Sequence, residues 1–96
     1  MNLIKLLASS LRQNMLRELS MTEEIRMMEL VRRVDSTYNE VNRNSGIMEE
    51  MGIIFNEYPV KVRHGKIRVI KLNRENPKTK VLLKALKTLD DHLPDP

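Results

Sequence analysis

The residues best suited to recognition chemistry are the polar side chains that follow Thr37. Asparagine can form two hydrogen bonds with adenine, and arginine can form two with guanine, so both residue types can read base edges in DNA. A major groove admits one α-helix, whose exposed N-terminal residues reach those edges. A solvated helix surface is the alternative interpretation, although such a surface usually carries more Glu and Lys. The candidates for base contact are Thr37, Tyr38, Asn39, Asn42 and Arg43.

A strongly basic segment lies further along the chain. Between Lys61 and Arg74 there are six basic residues and no acidic one, which exceeds the net charge of +4 of the whole chain. Charge concentrated on one projecting element is typical of contact with phosphates. The alternative is a solvated hairpin whose edge lysines keep it soluble. The candidate phosphate contacts are Lys61, Arg63, His64, Lys66 and Arg68, and His64 adds charge only when it is protonated.

Other kinds of chemistry find little support in the sequence. The chain has no cysteine, which excludes disulfides, iron–sulfur clusters and thiolate metal sites. Asp90, Asp91 and His92 are adjacent, but consecutive positions do not share a helix face, so we expect a polar helix end there and no metal site. Because nucleophile motifs, Gly-rich phosphate loops and paired carboxylates in an apolar setting are absent, we expect no catalysis and no cofactor.

The length and the apolar pattern limit the architecture. A chain of 96 residues predicts one domain with one hydrophobic core. No apolar run is long enough to span a membrane. Met1 to Leu11 is apolar on one side only and lacks the continuous apolar region of a signal peptide. We therefore expect a cytoplasmic protein that does not contact membranes.

The elements that must position the candidates begin with a helical segment over residues 1–19. Apolar residues recur there every four positions, which is the spacing of one helix face. Ser9 and Ser10 interrupt the pattern and could cap a second start, so one bent helix and two short helices both fit. The apolar stripe consists of Leu3, Leu7, Leu11, Met15 and Leu19.

A helix-turn-helix is predicted over residues 26–51. A short helix is followed by the small polar residues Asp35 to Thr37, which favour a turn. Thr37 and Glu40 have the spacing of a capping box. In this motif the Thr37 hydroxyl accepts a hydrogen bond from the backbone N–H three residues later, and the Glu40 side chain accepts one from the Thr37 N–H. Gly52 is a usual residue just past a helix end. Two helices separated by so short a turn have helix-turn-helix spacing.

The remaining elements are a hairpin and a final helix. β-prone and alternating residues over 53–72, interrupted near Gly65, predict a β-hairpin. Pro59 cannot donate to a strand ladder, so it suits an edge or a bulge. Asn76 and Pro77 have the types of a cap and a first helical residue, and they open a leucine-rich helix over 76–93.

Four stretches of the chain form a series of motifs: Leu11-Arg12 with Met15-Leu16 and Leu19, then Met28 to Val34, Thr37 to Gly52, and Arg68 to Leu72. In this order and spacing, the motifs resemble those of ArsR-like winged helix-turn-helix regulators. The resemblance implies a mainly α fold with a β-hairpin wing and terminal helices that form a dimer interface. The implied dimer contacts are Leu3, Leu7, Leu82, Leu86 and Leu89.

The sequence departs from the family pattern at Ser45 and Gly46, where the family has a leucine and a polar residue. Glycine inside a helix costs about 0.5–1 kcal/mol relative to alanine. An inward serine leaves either a gap or a hydroxyl that needs a partner. A kink of the helix at this point is the other expectation.

These observations predict a homodimeric regulator of transcription that binds double-stranded DNA in a sequence-specific manner. Binding of the predicted helix in the major groove and of the wing on the flanking backbone would be its mechanism. The first alternative is a winged-helix module for protein–protein contact, since one fold can serve both uses. A helical oligomerisation subunit with an incidental hairpin is the second alternative.

Overall fold

The computed structural model describes residues 1–62 and 65–92, with side chains for 1–58 and 67–92. The predicted helices and hairpin strands occur in the predicted order, as a mainly α fold with a β-hairpin wing, and one short strand is added before the first helix of the helix-turn-helix. In chain order they are α1 (Leu3–Leu7), α2 (Ser10–Ser20), β1 (Ile25–Arg26), α3 (Met27–Arg33), α4 (Tyr38–Glu50), β2 (Ile54–Val62), β3 (Gly65–Leu72) and α5 (Pro77–His92).

The N-terminal segment consists of two helices rather than one bent helix. Ser9 is extended and its hydroxyl accepts a hydrogen bond from the Arg12 backbone N–H at 3.2 Å, so it caps α2. Asn2 caps α1 in the same way, accepting from the Lys5 N–H at 2.8 Å. Each cap satisfies a backbone donor that has no partner within its helix.

The turn between α3 and α4 depends on two local conformations. Asp35 has a positive φ of 52°, which aspartate tolerates better than most residues. Its N–H bonds to the Arg32 carbonyl at 3.2 Å, closing the end of α3. Thr37 then caps α4, accepting from the Glu40 N–H at 3.2 Å as predicted.

The prediction that the Glu40 side chain bonds back to the Thr37 N–H is wrong. The Glu40 carboxylate does not return to the Thr37 N–H, because it accepts a hydrogen bond from Arg43 at 2.8 Å. An ion pair one helical turn away therefore takes the place of the second capping bond.

The end of α4 is defined by Gly52, which has a φ of 76°. The Gly52 N–H bonds to the Glu49 carbonyl and the Ile53 N–H to the Met48 carbonyl, both at 2.9 Å. This pair of bonds is the Schellman motif, and it needs a residue that adopts the left-handed region without strain.

The sheet has three antiparallel strands in the order β1-β3-β2, so β3 is central. Val62 pairs with Gly65, which confirms the hairpin, and the register shifts between Glu57 and Val60. This irregularity spans Pro59, as predicted for a residue without an N–H on an edge strand. Strand β1 was not predicted, because two residues carry no detectable alternation; Ile25 pairs with Ile70 and Arg26 with Val69.

The core collects apolar residues from every helix and from the sheet. Leu82 and Leu86, predicted as dimer contacts, are buried within the single chain, with 0% and 3% of their surface exposed. They pack inward because α5 lies against α1 and α2. Leu3 and Leu7 are partly buried against the same core. Within residues 1–62 and 65–92, no helix is long and apolar enough to cross a membrane.

Candidate nucleic-acid interface

The outer face of α4 is formed by Tyr38, Asn39, Asn42 and Arg43, and all four side chains are exposed. Thr37, just before them, is exposed as well. On the opposite side of the helix, Val41 and Met48 are fully buried and hold α4 on the core. The helix therefore presents one polar surface in a fixed orientation. The structure brings all five residues predicted for base contact to the start of this one helix.

Ser45 and Gly46 do not interrupt α4, which runs continuously from Tyr38 to Glu50. Ser45 is fully buried, and its hydroxyl donates to the Asn42 carbonyl at 3.0 Å. Gly46 is exposed, and a Cβ there would have no atom within 4 Å. Neither a gap nor a kink results, because the serine hydroxyl has partners and the glycine faces solvent.

Arg68 joins the wing to α4 through three hydrogen bonds. Its Nη1 donates to Asn42 Oδ1 at 2.6 Å, its Nη2 to Ser45 Oγ at 2.8 Å and its Nε to Asn56 Oδ1 at 2.9 Å. We call this group the Arg68 bridge. The guanidinium of Arg68, a predicted phosphate contact, lies between strands β2 and β3 and helix α4.

Two further basic residues of the predicted cluster are occupied within the chain. Lys71 Nζ lies 3.1 Å from Glu57 Oε1 and 5.9 Å from the centre of the Phe55 ring. Arg74 donates to the carbonyls of three residues at the end of α2 and beyond, namely Leu19, Ser20 and Thr22. These two cations serve internal contacts, which the sum of charges along the sequence could not reveal.

The other predicted wing contacts are only partly covered by the structure. Arg63 and His64 lie outside the described residues. Lys61 and Lys66 are described as paired strand residues, Lys61 opposite Lys66, and their side chains lie outside the description. The strand register therefore places both lysines near the end of the hairpin.

A second arginine links α1 to α4, and sequence reasoning missed it. Arg12 donates to the carbonyls of Lys5 at 3.0 Å and Leu6 at 2.8 Å, and to Asn44 Oδ1 at 2.8 Å. Asn44, only 2% exposed, in turn donates to the Glu40 carbonyl at 2.8 Å. The pKa of Arg12 is lowered, mainly by burial and to a smaller extent by the positive charge of Arg43. An asparagine at an inward helical position was the available signal, since a buried amide needs partners.

A cavity of about 380 Å³ opens between the start of α3, the start of α4 and strand β3. Tyr38 borders it and also belongs to the outer face of α4. Met28, which was not among the predicted contact residues, is 62% exposed beside it. The lining residues are Arg26, Met27, Met28, Tyr38, Ile67 and Arg68.

Helix α5 carries an exposed apolar stripe on the side away from the core. Val81 and Leu89 are 55% and 42% exposed, and the half-buried Ala85 lies between them at four-residue spacing. They line a shallow hollow of about 500 Å³ together with Lys84 and Thr88. Of the predicted dimer contacts on α5, Leu89 is therefore on this surface, whereas Leu82 and Leu86 are not.

The polar end of α5 is ordered by an ion pair. Arg17 on α2 donates to Asp90 through Nε at 2.9 Å and Nη2 at 2.6 Å. The hydrogen bond from Arg17 lowers the pKa of Asp90. In the part of the chain that the structure describes, no group of three His, Asp or Glu side chains could hold a metal ion.

Solved structures that are similar to this chain include those of two bacterial proteins, MosR and MepR. The M. tuberculosis transcriptional regulator MosR, solved in complex with DNA, matches with a TM-score of 0.68 and 20% identity, over 91% of this chain and 59% of the MosR chain. A mutant of S. aureus MepR matches with a TM-score of 0.71 and 14% identity, over 93% of this chain and 63% of the MepR chain. The chain thus spans less than two thirds of either structure. No protein-family model and no curated protein matches it. The likeness confirms the winged helix-turn-helix fold.

Proposed function

We propose that this protein is a transcription regulator that binds double-stranded DNA in a sequence-specific manner and catalyses no reaction. The observation that carries the proposal is the outer face of α4. Its exposed asparagine and arginine residues follow a capped helix start, and they lie on a helix that the core holds in place. A helix presented in this way can enter a major groove with its N-terminal residues at the base edges. Support comes from MosR, which shares the fold and was solved with DNA.

The wing would contact the DNA backbone beside the groove. Arg68, Lys71 and Arg74 are engaged by other residues of the chain. We therefore assign phosphate contact to Lys61, Arg63 and Lys66, with His64 contributing when protonated. Phosphate contacts orient a protein on the duplex and carry no base information of their own.

The family within this fold is a separate part of the proposal. The motif resemblance over Leu11 to Leu72 favours an ArsR-like regulator. The two solved neighbours support the winged-helix fold and do not single out that family.

We also propose that two copies of the chain bind DNA together. The exposed stripe of Val81, Ala85 and Leu89 is suited to a second copy, since apolar side chains in contact exclude water. Leu3 and Leu7 on α1, half-buried in the single chain, would extend the contact. A two-fold dimer would read a roughly palindromic site whose half-sites lie one or more helical turns apart.

An unbiased selection of bound DNA from random oligonucleotides, at two salt concentrations, tests the function directly. We expect enrichment of one sequence with two related half-sites. Enrichment of a single half-site would contradict the dimer. If no sequence is enriched at either salt concentration, the DNA-binding function is wrong, and the protein–protein module becomes the better interpretation.

The wing assignment is tested by Lys66→Ala, compared with Lys71→Ala. Each variant removes one positive charge from β3, but the Lys71 ammonium is already paired with Glu57. We expect Lys66→Ala to weaken binding to all sequences and to make the negative slope of log K against log salt shallower by about 0.9. Lys71→Ala should leave that slope nearly unchanged. Equal slopes for Lys66→Ala and the wild type would remove Lys66 from the interface.

A further inference from the structure

We propose that Arg68 is a positioning residue that orients Asn42, so that the Asn42 amide nitrogen reads hydrogen-bond acceptors on a base edge. This inference rests on the proposed DNA-binding function and assigns a direction to one of its contacts. The sequence alone suggested that Asn42 could pair with adenine through both its oxygen and its nitrogen. The structure gives the oxygen a partner inside the protein.

The chemistry of the guanidinium determines the orientation of the Asn42 amide. Arginine carries only donors, so the atom that faces Arg68 Nη1 at 2.6 Å must be the amide oxygen. The amide nitrogen consequently lies on the other side of the group. Asn42 is exposed, and within the described part of the chain no residue accepts a hydrogen bond from its nitrogen.

Arg68 is itself held in place by its other two partners. Asn56 on β2 accepts from Nε, and the fully buried Ser45 hydroxyl accepts from Nη2. Ser45 uses its own proton on the Asn42 carbonyl, which leaves its oxygen free to accept. Three acceptors on two elements thus fix the planar guanidinium, and no carboxylate among the described residues pairs with it.

The bridge also strengthens the outward donor. A hydrogen bond accepted by an amide oxygen polarises the amide, which makes its N–H groups better donors. The positive charge of Arg68, which no described carboxylate neutralises, also makes the Asn42 N–H groups better donors. Asn42 should therefore favour guanine N7 or O6, adenine N7 or thymine O4, and should reject cytosine, whose major-groove edge offers the N4 donor.

The test compares base preferences of variants in the same random-oligonucleotide selection. Asn42→Asp keeps an oxygen for Arg68 but presents an acceptor outward, so we expect the contacted position to switch toward cytosine. Asn42→Ala should abolish preference at that position alone. Arg68→Met removes the donors at similar length, and we expect discrimination against cytosine to fall by about fivefold or more. Preferences at the other positions should persist.

Ser45→Ala is the matched control, because it removes one bond of the bridge and keeps the bond between Arg68 and Asn42. We expect it to retain the wild-type base preference even if thermal unfolding shows a loss of stability. Adenine alone at the contacted position, unchanged in Arg68→Met, would mean that Asn42 pairs through its oxygen and would overturn the inference. Absence of any selected sequence for the wild type would instead contradict the proposed function.

Discussion

At the scale of single residues, the structure separates side chains that look equivalent in the sequence. Gly46 lies inside α4 and Gly52 just past its end, six positions later, and the two glycines face different constraints. Gly52 has a positive φ, and a Cβ there would lie 2.7 Å from Asn76 Nδ2. That amide group donates to the Gly52 carbonyl at 2.8 Å, and its oxygen caps α5 through the Lys78 N–H. Gly46 has open space around it.

We expect Gly52→Ala to lower the free energy of unfolding by about 1–3 kcal/mol, because a non-glycine residue is strained at this φ. Gly46→Ala should raise that free energy by about 0.5–1 kcal/mol, since alanine is the better helix residue and meets no neighbour. Urea unfolding monitored by circular dichroism measures both. Effects of the same sign would contradict this account of the two glycines.

A second prediction at this scale concerns Arg43. Its guanidinium is exposed and, among the side chains that the structure describes, is paired with Glu40 alone, one helical turn earlier. If Arg43 reads guanine, Arg43→Ala should reduce discrimination at one base pair by about 1–3 kcal/mol. The loss of so exposed an ion pair should change stability little.

Competition binding with single-base variants of the selected site measures this discrimination. Glu40→Ala is the control, because it releases Arg43 without removing it. If Arg43→Ala selects the same sequences as strongly as the wild type, Arg43 does not read a base.

At the scale of elements, arginines connect parts of the fold that are distant in sequence. Arg12 ties the end of α1 to α4, and Arg68 ties the wing to α4. Arg74 binds the carbonyls at the end of α2, which have no partner inside the helix. The orientation of α4 thus depends on elements on both sides of it.

The contact between α2 and α5 predicts a dependence of stability on pH. The hydrogen bond from Arg17 lowers the pKa of Asp90 from its ordinary value of 3.8. A group whose pKa is lower in the folded state stabilises the fold above its unfolded pKa, and this stabilisation is lost as pH falls through the folded pKa. Asp90→Asn should therefore melt at a lower temperature than the wild type at pH 7.

The difference between the two melting temperatures should shrink as pH falls below 3.8. Asp91→Asn is the control, because it changes the neighbouring carboxylate. If the difference in melting temperature between Asp90→Asn and the wild type stays constant from pH 7 to below 3.8, the ion pair does not contribute to the pH dependence.

At the scale of the whole molecule, α5 divides into a buried and an exposed apolar side. Leu82 belongs to the core of one chain, whereas Leu89 lies on the stripe that we assign to a second copy. A substitution on the exposed side should therefore affect association, and one on the buried side should affect folding.

We expect Leu89→Lys to shift the protein from dimer to monomer at micromolar concentration while its circular dichroism spectrum stays unchanged. Leu82→Ala should instead lower the free energy of unfolding by about 2–5 kcal/mol. Sedimentation velocity and chemical unfolding distinguish these effects. A wild-type chain that sediments as a monomer at micromolar concentration would contradict the dimer.

Local chemistry made much of this protein predictable from its sequence. The helix caps are predictable because a nearby side chain must accept from the free backbone N–H groups, as Ser9, Thr37 and Asn76 do. The glycine after α4 is predictable because the chain there needs a positive φ, and the bulge around Pro59 because proline has no backbone N–H. The helix-turn-helix, the hairpin and the candidates on α4 follow from periodicity and residue type, which act over a few positions.

The tertiary structure alone decided which polar groups are available to a partner. Arg68 and Asn42 are 26 positions apart, and Arg12 and Asn44 are 32 apart. No spacing rule predicts such pairs, because packing of helices and strands brings them together. Packing also determined which α5 leucines face the core. The six basic residues from Lys61 to Arg74 were visible at once in the sequence. Only the folded chain shows that three of them, Arg68, Lys71 and Arg74, bind acceptors of the same chain. Each cation binds the acceptors that lie nearest to it in space.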